Sequence, residues 1–166
     1  MDMNNIANNR TEAFLVLYDM QTDFFISALD GISEQDAYNR LNTQANHIAW
    51  LTGSLVAQRY DLAKEFGIEK TQNGEELFRD NKGIQDGAVY PTLDTYRNDW
   101  KLISPILRAA LANATDQQLD REIEMMPDYK MTVYDLLSFS MYREANIIGQ
   151  IALWRRILGY AAMQYM

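Results

Sequence analysis

The chain has 166 residues, 48% of them hydrophobic and 23% charged. That length and balance suit one folded domain, residues 1–166, and exclude a disordered tail or a collagen-like repeat. It contains no cysteine and one histidine, which excludes thiolate zinc sites, disulfides, catalytic cysteines and histidine clusters. Its 15 Lys and Arg against 23 Asp and Glu give a net charge of -8, with no basic run to track a phosphate backbone, so nucleic acid is not an expected partner. The opening Met-Asp-Met-Asn-Asn-Ile lacks the basic, then apolar layout of a secretory leader, and no window is apolar enough for a membrane span. A soluble, cytoplasmic protein is expected.

Four segments carry a helical period and none carries sustained alternation, so the expected class is all-α. In the first, Phe14, Leu17, Tyr18, Phe24, Phe25, Ala28 and Leu29 recur at threes and fours, and Gly31 ends it. The second runs from about Leu41 to Phe66, with Ile48, Leu51, Leu55, Leu62 and Phe66 on one stripe, His47 on its shoulder and Gly67 as its C-terminal stop.

From Gly67 to Pro91 the chain is rich in glycine and poor in apolar residues. So long a connection reads as a crossover that lets the second and third helices run parallel, or alternatively as a lid over a pocket. The third helix opens with Thr92 as cap and repeats Leu93, Tyr96, Trp100, Ile103, Leu107 and Leu111, with Pro105 on its outer face, where a kink is expected. Thr115 with Gln118 signals an extra helical turn that Met126-Pro127-Asp128 breaks. The fourth helix runs from Thr132, boxed with Asp135, to Gly159, with a wide apolar arc from Val133 to Leu158. The expected architecture is a four-helix bundle with a long connection between helices 2 and 3.

No phosphate-binding glycine loop and no nucleophile elbow is present. The carboxylate pairs Asp61/Glu65 and Asp94/Asp99 read as solvated helix faces. The anomaly is on the fourth helix, where Ser140, Arg143 and Glu144 fall within or at the edge of the apolar arc. A charge there is either paired with a neighbouring helix or open to water. One reading is a salt bridge that fixes register. The other is a polar pocket in which His47 and Glu144 form a proton-transfer pair and Arg143 holds a small anion.

The run Tyr142-Arg143-Glu144-Ala145-Asn146-Ile147-Ile148-Gly149-Gln150-Ile151-Ala152-Leu153-Trp154-Arg155-Arg156-Ile157-Leu158-Gly159 resembles the last helix of the DinB-like (DinB/YfiT) four-helix-bundle superfamily, whose pattern is approximately H-x-x-x-H-x-G-Q-I-x-x-x-R-R-x-x-G. Asn46-His47-Ile48-Ala49-Trp50-Leu51, followed by Gly53, is similar to the H-I-A-x-x-x-x-G segment of the second helix. The order of elements and the long second connection agree over nearly the whole chain.

The resemblance implies a divalent metal, zinc or nickel, held by one histidine of the second helix and two of the fourth, at positions that match His47, Arg143 and Ile147. Residues four apart share a helix face and can converge on one ion, but a guanidinium repels a cation and isoleucine has no lone pair. A metal would have His47 and at most Glu144 or Gln44, so none is expected. The expected function is a bundle that has lost the family metal site and serves as a small-molecule binding or interaction module. Gln44, Ser140 and Arg143 are its candidate ligand contacts, and homodimerisation through an apolar helix face is expected. The uncharged tail Gly159–Met166 could dock at such an interface or on its own bundle. The alternative is a DinB-like hydrolase or thiol-dependent transferase with His47 as base, Glu144 as orienter and Arg143 as substrate clamp. A third reading is a structural bundle in which His47 is a satisfied shoulder histidine.

Overall fold

The computed structural model describes residues 9–166; the reading of the first six residues as free of a leader lies outside them. Four long helices form the bundle: α1 (Asn9–Leu29), α3 (Ile48–Lys64), α4 (Leu93–Ala112) and α6 (Val133–Ile157). Two short helices, α2 (Glu34–Ala37) and α5 (Asp116–Asp120), lie in the connections, and strands β1 (Glu122–Met126) and β2 (Tyr129–Thr132) form an antiparallel hairpin. No helix among the described residues is long and apolar enough to cross a membrane.

Side-chain contacts fix the helix directions. Gly53 approaches Tyr96, and Arg59 bonds Ser104, so α3 and α4 run parallel. Tyr18 reaches the Ser104 carbonyl while Arg97 reaches that of Leu29, so α1 is antiparallel to α4. The connection between α3 and α4 therefore does traverse the bundle. It makes two 3₁₀ turns, Glu75–Leu77 and Arg79–Asn81, and is pinned to α4 where Asp99 accepts from the Asn73 backbone at 2.8 Å and from its amide at 2.9 Å.

The caps follow the sequence closely. Thr92, Thr115 and Thr132 each accept from a backbone N–H three residues on, and the Thr115/Gln118 and Thr132/Asp135 boxes are closed reciprocally. At Gly67 (φ 77°) the chain turns left-handed and Ile68 N–H bonds back to the Ala63 carbonyl, the closure that an achiral residue permits. Pro105 is exposed on α4, and the helix is assigned continuously through it.

Two details differ from expectation, and a third settles between the two readings of the tail. The second long helix starts at Ile48 rather than Leu41, because Leu41 (φ 47°) and Asn42 (φ 60°) are left-handed and the Arg40 guanidinium ties the carbonyls of Gln44 and Ala45 into a turn. Pro127-Asp128 turns a hairpin, with Asp128 at φ 65°, where alternation over so few residues gave no signal. The tail docks on its own bundle: Met163 is buried, Gln164 exchanges bonds with Ser27, and Tyr165 packs edge-on against Phe24.

In one layer of the core two buried charges are paired. Arg59 on α3 and Glu144 on α6 are both fully buried and meet side-on, Nε to Oε1 and Nη2 to Oε2, each at 2.8 Å. The guanidinium lies 3.5 Å from the Trp100 ring centre and 3.9 Å from that of Tyr18, and its Nη1 donates to Thr22 and Ser104 at 2.8 and 2.7 Å. Charge, planarity and spare donors are all matched, which such burial requires.

Candidate functional site

Arg143 precedes Glu144 by one residue, and the roughly 100° step of a helix turns it out of the core. It lies across the α3–α6 seam, half-buried, where Nη1 donates to Gln58 Oε1 at 2.8 Å and Nη2 to Ser54 Oγ. Gln58 in turn donates its amide to the Ser140 carbonyl at 3.1 Å, which fixes the acceptor end of that amide toward Arg143. Every close partner of this cation among the described residues is neutral. Burial pulls its guanidinium below the usual range, with the Glu144 charge acting the other way.

Two hollows meet at this side chain. A cleft of about 370 Å³ between α3, α6, the crossover and the hairpin is lined by Ser54, Gln58, Phe78, Phe139, Ser140 and Arg143 among others, and by the charged Asp61, Glu65 and Lys82. A shallower hollow of about 280 Å³ runs over Trp50, Tyr142, Arg143, Asn146, Ile147 and Gln150. Trp50 and Phe139 line both. Two donors of lining residues are unpartnered among the described residues but closed off from the hollows: the Ser140 hydroxyl and the Trp50 indole N–H. Arg143 itself keeps spare capacity, since a guanidinium carries five N–H donors. The surroundings are apolar around a cation with donors to spare, the chemistry of a small-molecule site for an anion.

The other candidates lie elsewhere. His47 is the N-cap of α3, its Nδ1 accepting from the Trp50 N–H at 3.1 Å, and its ring is enclosed by Tyr38 and Tyr90 with centres 5.0 and 5.4 Å away. Desolvation holds its pKa below the ordinary value; its backbone bond opposes that, and the Arg40 charge adds to it. Arg59, which binds Glu144, stands twelve residues along α3 from His47, about 18 Å of helix rise. The proton-transfer pair of His47 and Glu144 is therefore not brought together, and both carboxylate oxygens of Glu144 are taken by Arg59. Gln44 is exposed in the turn before α3, away from Arg143, and offers its backbone carbonyl to Arg40. Ser140 and Arg143 share the cleft as expected from the wheel. Ser54, Gln58 and Trp50 were missed, because on an unbroken apolar helix nothing in their spacing separates cleft wall from core.

The donor set does not suit the divalent ion implied by the resemblance. Across the seam Arg143 faces Ser54 and Gln58, while Trp154 bonds the Asn46 carbonyl at 2.9 Å, so His47 stands level with the far end of α6 and not with Arg143 and Ile147. Its Nδ1 is already engaged, Arg143 is cationic and Ile147 offers no electron pair. Among the described residues no group of three His, Cys, Asp or Glu side chains converges to hold an ion.

No protein-family model matches the sequence, and no curated protein matches it. Among solved structures, a DinB-like protein, YjoA from Bacillus subtilis, aligns with a TM-score of 0.60 at 19% identity over 95% of this chain and 96% of that chain. At that identity the likeness is one of architecture, and the fold of this chain is that of a DinB-like helical bundle.

Proposed function

We propose that this chain binds a small organic anion with an apolar body in the cleft between α3 and α6, and that Arg143 takes the place of the metal that the resemblance implies. The observation that carries the reading is a half-buried guanidinium, bonded to neutral acceptors only, at the junction of two hollows. A cation without a counter-charge in partly desolvated surroundings gains more from an incoming carboxylate or phosphate than an exposed one does. Phe78, Phe139 and Leu136 would cover the apolar part.

The test is a panel of aliphatic and aromatic carboxylates, phosphate esters and sulfonates, screened by thermal shift and followed by calorimetry. A charge-assisted bond of this kind is worth about 1.5–3 kcal/mol, so Arg143→Ala is expected to lose roughly ten- to a hundredfold in affinity, with partial retention in Arg143→Lys. Undiminished affinity of Arg143→Ala for every anion that binds the wild type would overturn the proposal. Stoichiometric, tightly held zinc or nickel in the purified protein would overturn its second half.

A further inference from the structure

The solvent face of α6 carries a second pattern, which overlaps the rim of the two hollows at Phe139, Tyr142 and Asn146 and continues beyond them to Leu153 and Arg156. Asp135, Phe139, Tyr142, Asn146, Gly149, Leu153 and Arg156 follow one another at alternating fours and threes, the a/d spacing of a helix seam. All are exposed among the described residues: Phe139 to 52%, Tyr142 to 67% and Leu153 to 61%. Adjacent Ile157 is exposed to 53%. Phe139 and Tyr142 toward one end and Leu153 with Ile157 toward the other put four large apolar side chains on one exposed helix face, with Asn146 and Gly149 between them, and such clustering marks an interaction site rather than a solvated face.

The order of residues along the stripe selects the partner. Read from either end toward Asn146, a charged residue comes first and a large apolar residue second, with opposite charges at the two ends and Tyr142 matched by Gly149 in the third place. Laid antiparallel on a second copy with a two-fold axis at Asn146, Asp135 meets Arg156, Phe139 meets Leu153 and Tyr142 meets Gly149. The large ring faces a position with no side chain, where an added Cβ would meet nothing within 4 Å of its own chain. The acidic N-terminal end faces the basic C-terminal end, whereas a parallel pairing would set Asp135 against Asp135 and Arg156 against Arg156. Asn146, held by Gln150 at 2.7 Å, would lie on the axis, where a polar residue at one seam position fixes register. A closed two-fold contact of one patch with itself is the commonest way for such a face to be covered.

We infer that α6 is the interface of a homodimer in which two copies pair antiparallel through this stripe. Tyr142, Asn146 and Gln150 also line the shallower hollow beside Arg143, so the second copy would stand along the open side of that hollow and form part of its wall. The two proposals share Phe139, which lines both hollows, but the dimer is read by oligomeric state and cross-linking and the anion site by affinity, so either can fail without the other.

The absence of cysteine makes a cross-linking test direct. Asn146→Cys is expected to oxidise to a disulfide-linked dimer. Leu153→Cys is expected to stay uncoupled, because its two copies would stand about 21 Å apart along the seam, beyond disulfide reach. In sedimentation equilibrium the wild type is expected to be dimeric. Leu153→Glu should raise the dissociation constant roughly thirtyfold or more, as for a buried hot-spot residue, with an unchanged circular dichroism spectrum. Asp135→Arg and Arg156→Asp should each weaken the dimer, and the two together should restore it. A wild type that is monomeric at all concentrations, equal cross-linking of the two cysteine variants, or a double reversal no better than the singles would overturn the inference.

Discussion

Arg143 and Glu144 are sequence neighbours on α6, yet they belong to regions that handle charge in opposite ways. Glu144 enters a closed layer where Arg59 supplies two parallel bonds and Trp100, Tyr18, Thr22 and Ser104 account for the remaining faces of the guanidinium. Arg143 enters an open seam where Ser54 and Gln58 offer neutral oxygens. In the first region every donor and acceptor is matched inside the protein, so the charge contributes to register and leaves nothing for a ligand. In the second the cation's field is uncancelled by a direct counter-ion among the described residues. A charge at the edge of an apolar arc is thus not in itself a sign of function; the partner across the helix seam decides.

The sharpest way to break that contrast is to remove one member of the closed pair. Glu144→Leu leaves a buried guanidinium without its carboxylate, and Arg59→Met leaves a buried carboxylate without its guanidinium. Each is expected to cost about 3–5 kcal/mol in urea unfolding, while the Arg59→Met/Glu144→Leu double variant recovers most of the loss because two apolar side chains then fill the layer. Single losses that simply add in the double variant would show that the two charges do not act as a unit, and the core region would no longer differ in kind from the cleft.

The same contrast explains what was legible in the sequence. The four helices, their threonine caps, the glycine stops and the crossover all rest on local signals of period and capping, and these hold in the structure. The hairpin was invisible because Glu122–Met126 is short and almost wholly exposed. The start of α3 was misread because the apolar stripe extends past the turn that Leu41 and Asn42 make in left-handed conformations. The wheel correctly picked Ser140, Arg143 and Glu144 as unusual, but it carries no information about the facing helix. Arg59, the partner that sequesters Glu144, read simply as part of a helix. His47 looked like a ligand by resemblance; its position as N-cap depends on a helix boundary that periodicity does not locate.

His47 allows a finer test, because it is another buried polar group and belongs with the closed fabric rather than the cleft. Its folded pKa is depressed by desolvation, so the fold prefers the neutral ring. Above the ordinary value near 6.5 both folded and unfolded chains are neutral there and the full cap contributes. As pH falls through about 6.5 the unfolded chain takes up the proton first, and stability declines until the folded pKa is passed. The slope from this group is bounded by one proton, about 1.4 kcal/mol per pH unit. His47→Asn, which keeps a capping acceptor, is expected to remove that part of the decline between pH 7 and 5 as read by unfolding midpoints. Identical pH profiles for the two proteins would mean that the imidazole is not the titrating group.

The smallest change in stability is expected at Arg143, and that smallness completes the contrast. Arg143→Met keeps the length of the aliphatic stem that packs along the seam and removes a half-buried cation whose desolvation is offset only by bonds to Ser54 and Gln58. Both acceptors line the cleft, and the group that covers the buried Ser54 is the guanidinium that the substitution removes, so neither is left an orphan of the kind that makes core substitutions costly. The unfolding free energy should therefore move by less than about 1 kcal/mol in either direction, although the residue next to it in sequence costs several times that. A loss for Arg143→Met as large as that for Arg59→Met would mean that the guanidinium holds the seam together, and its neutral partners would then be a structural lattice rather than the resting arrangement of a ligand contact.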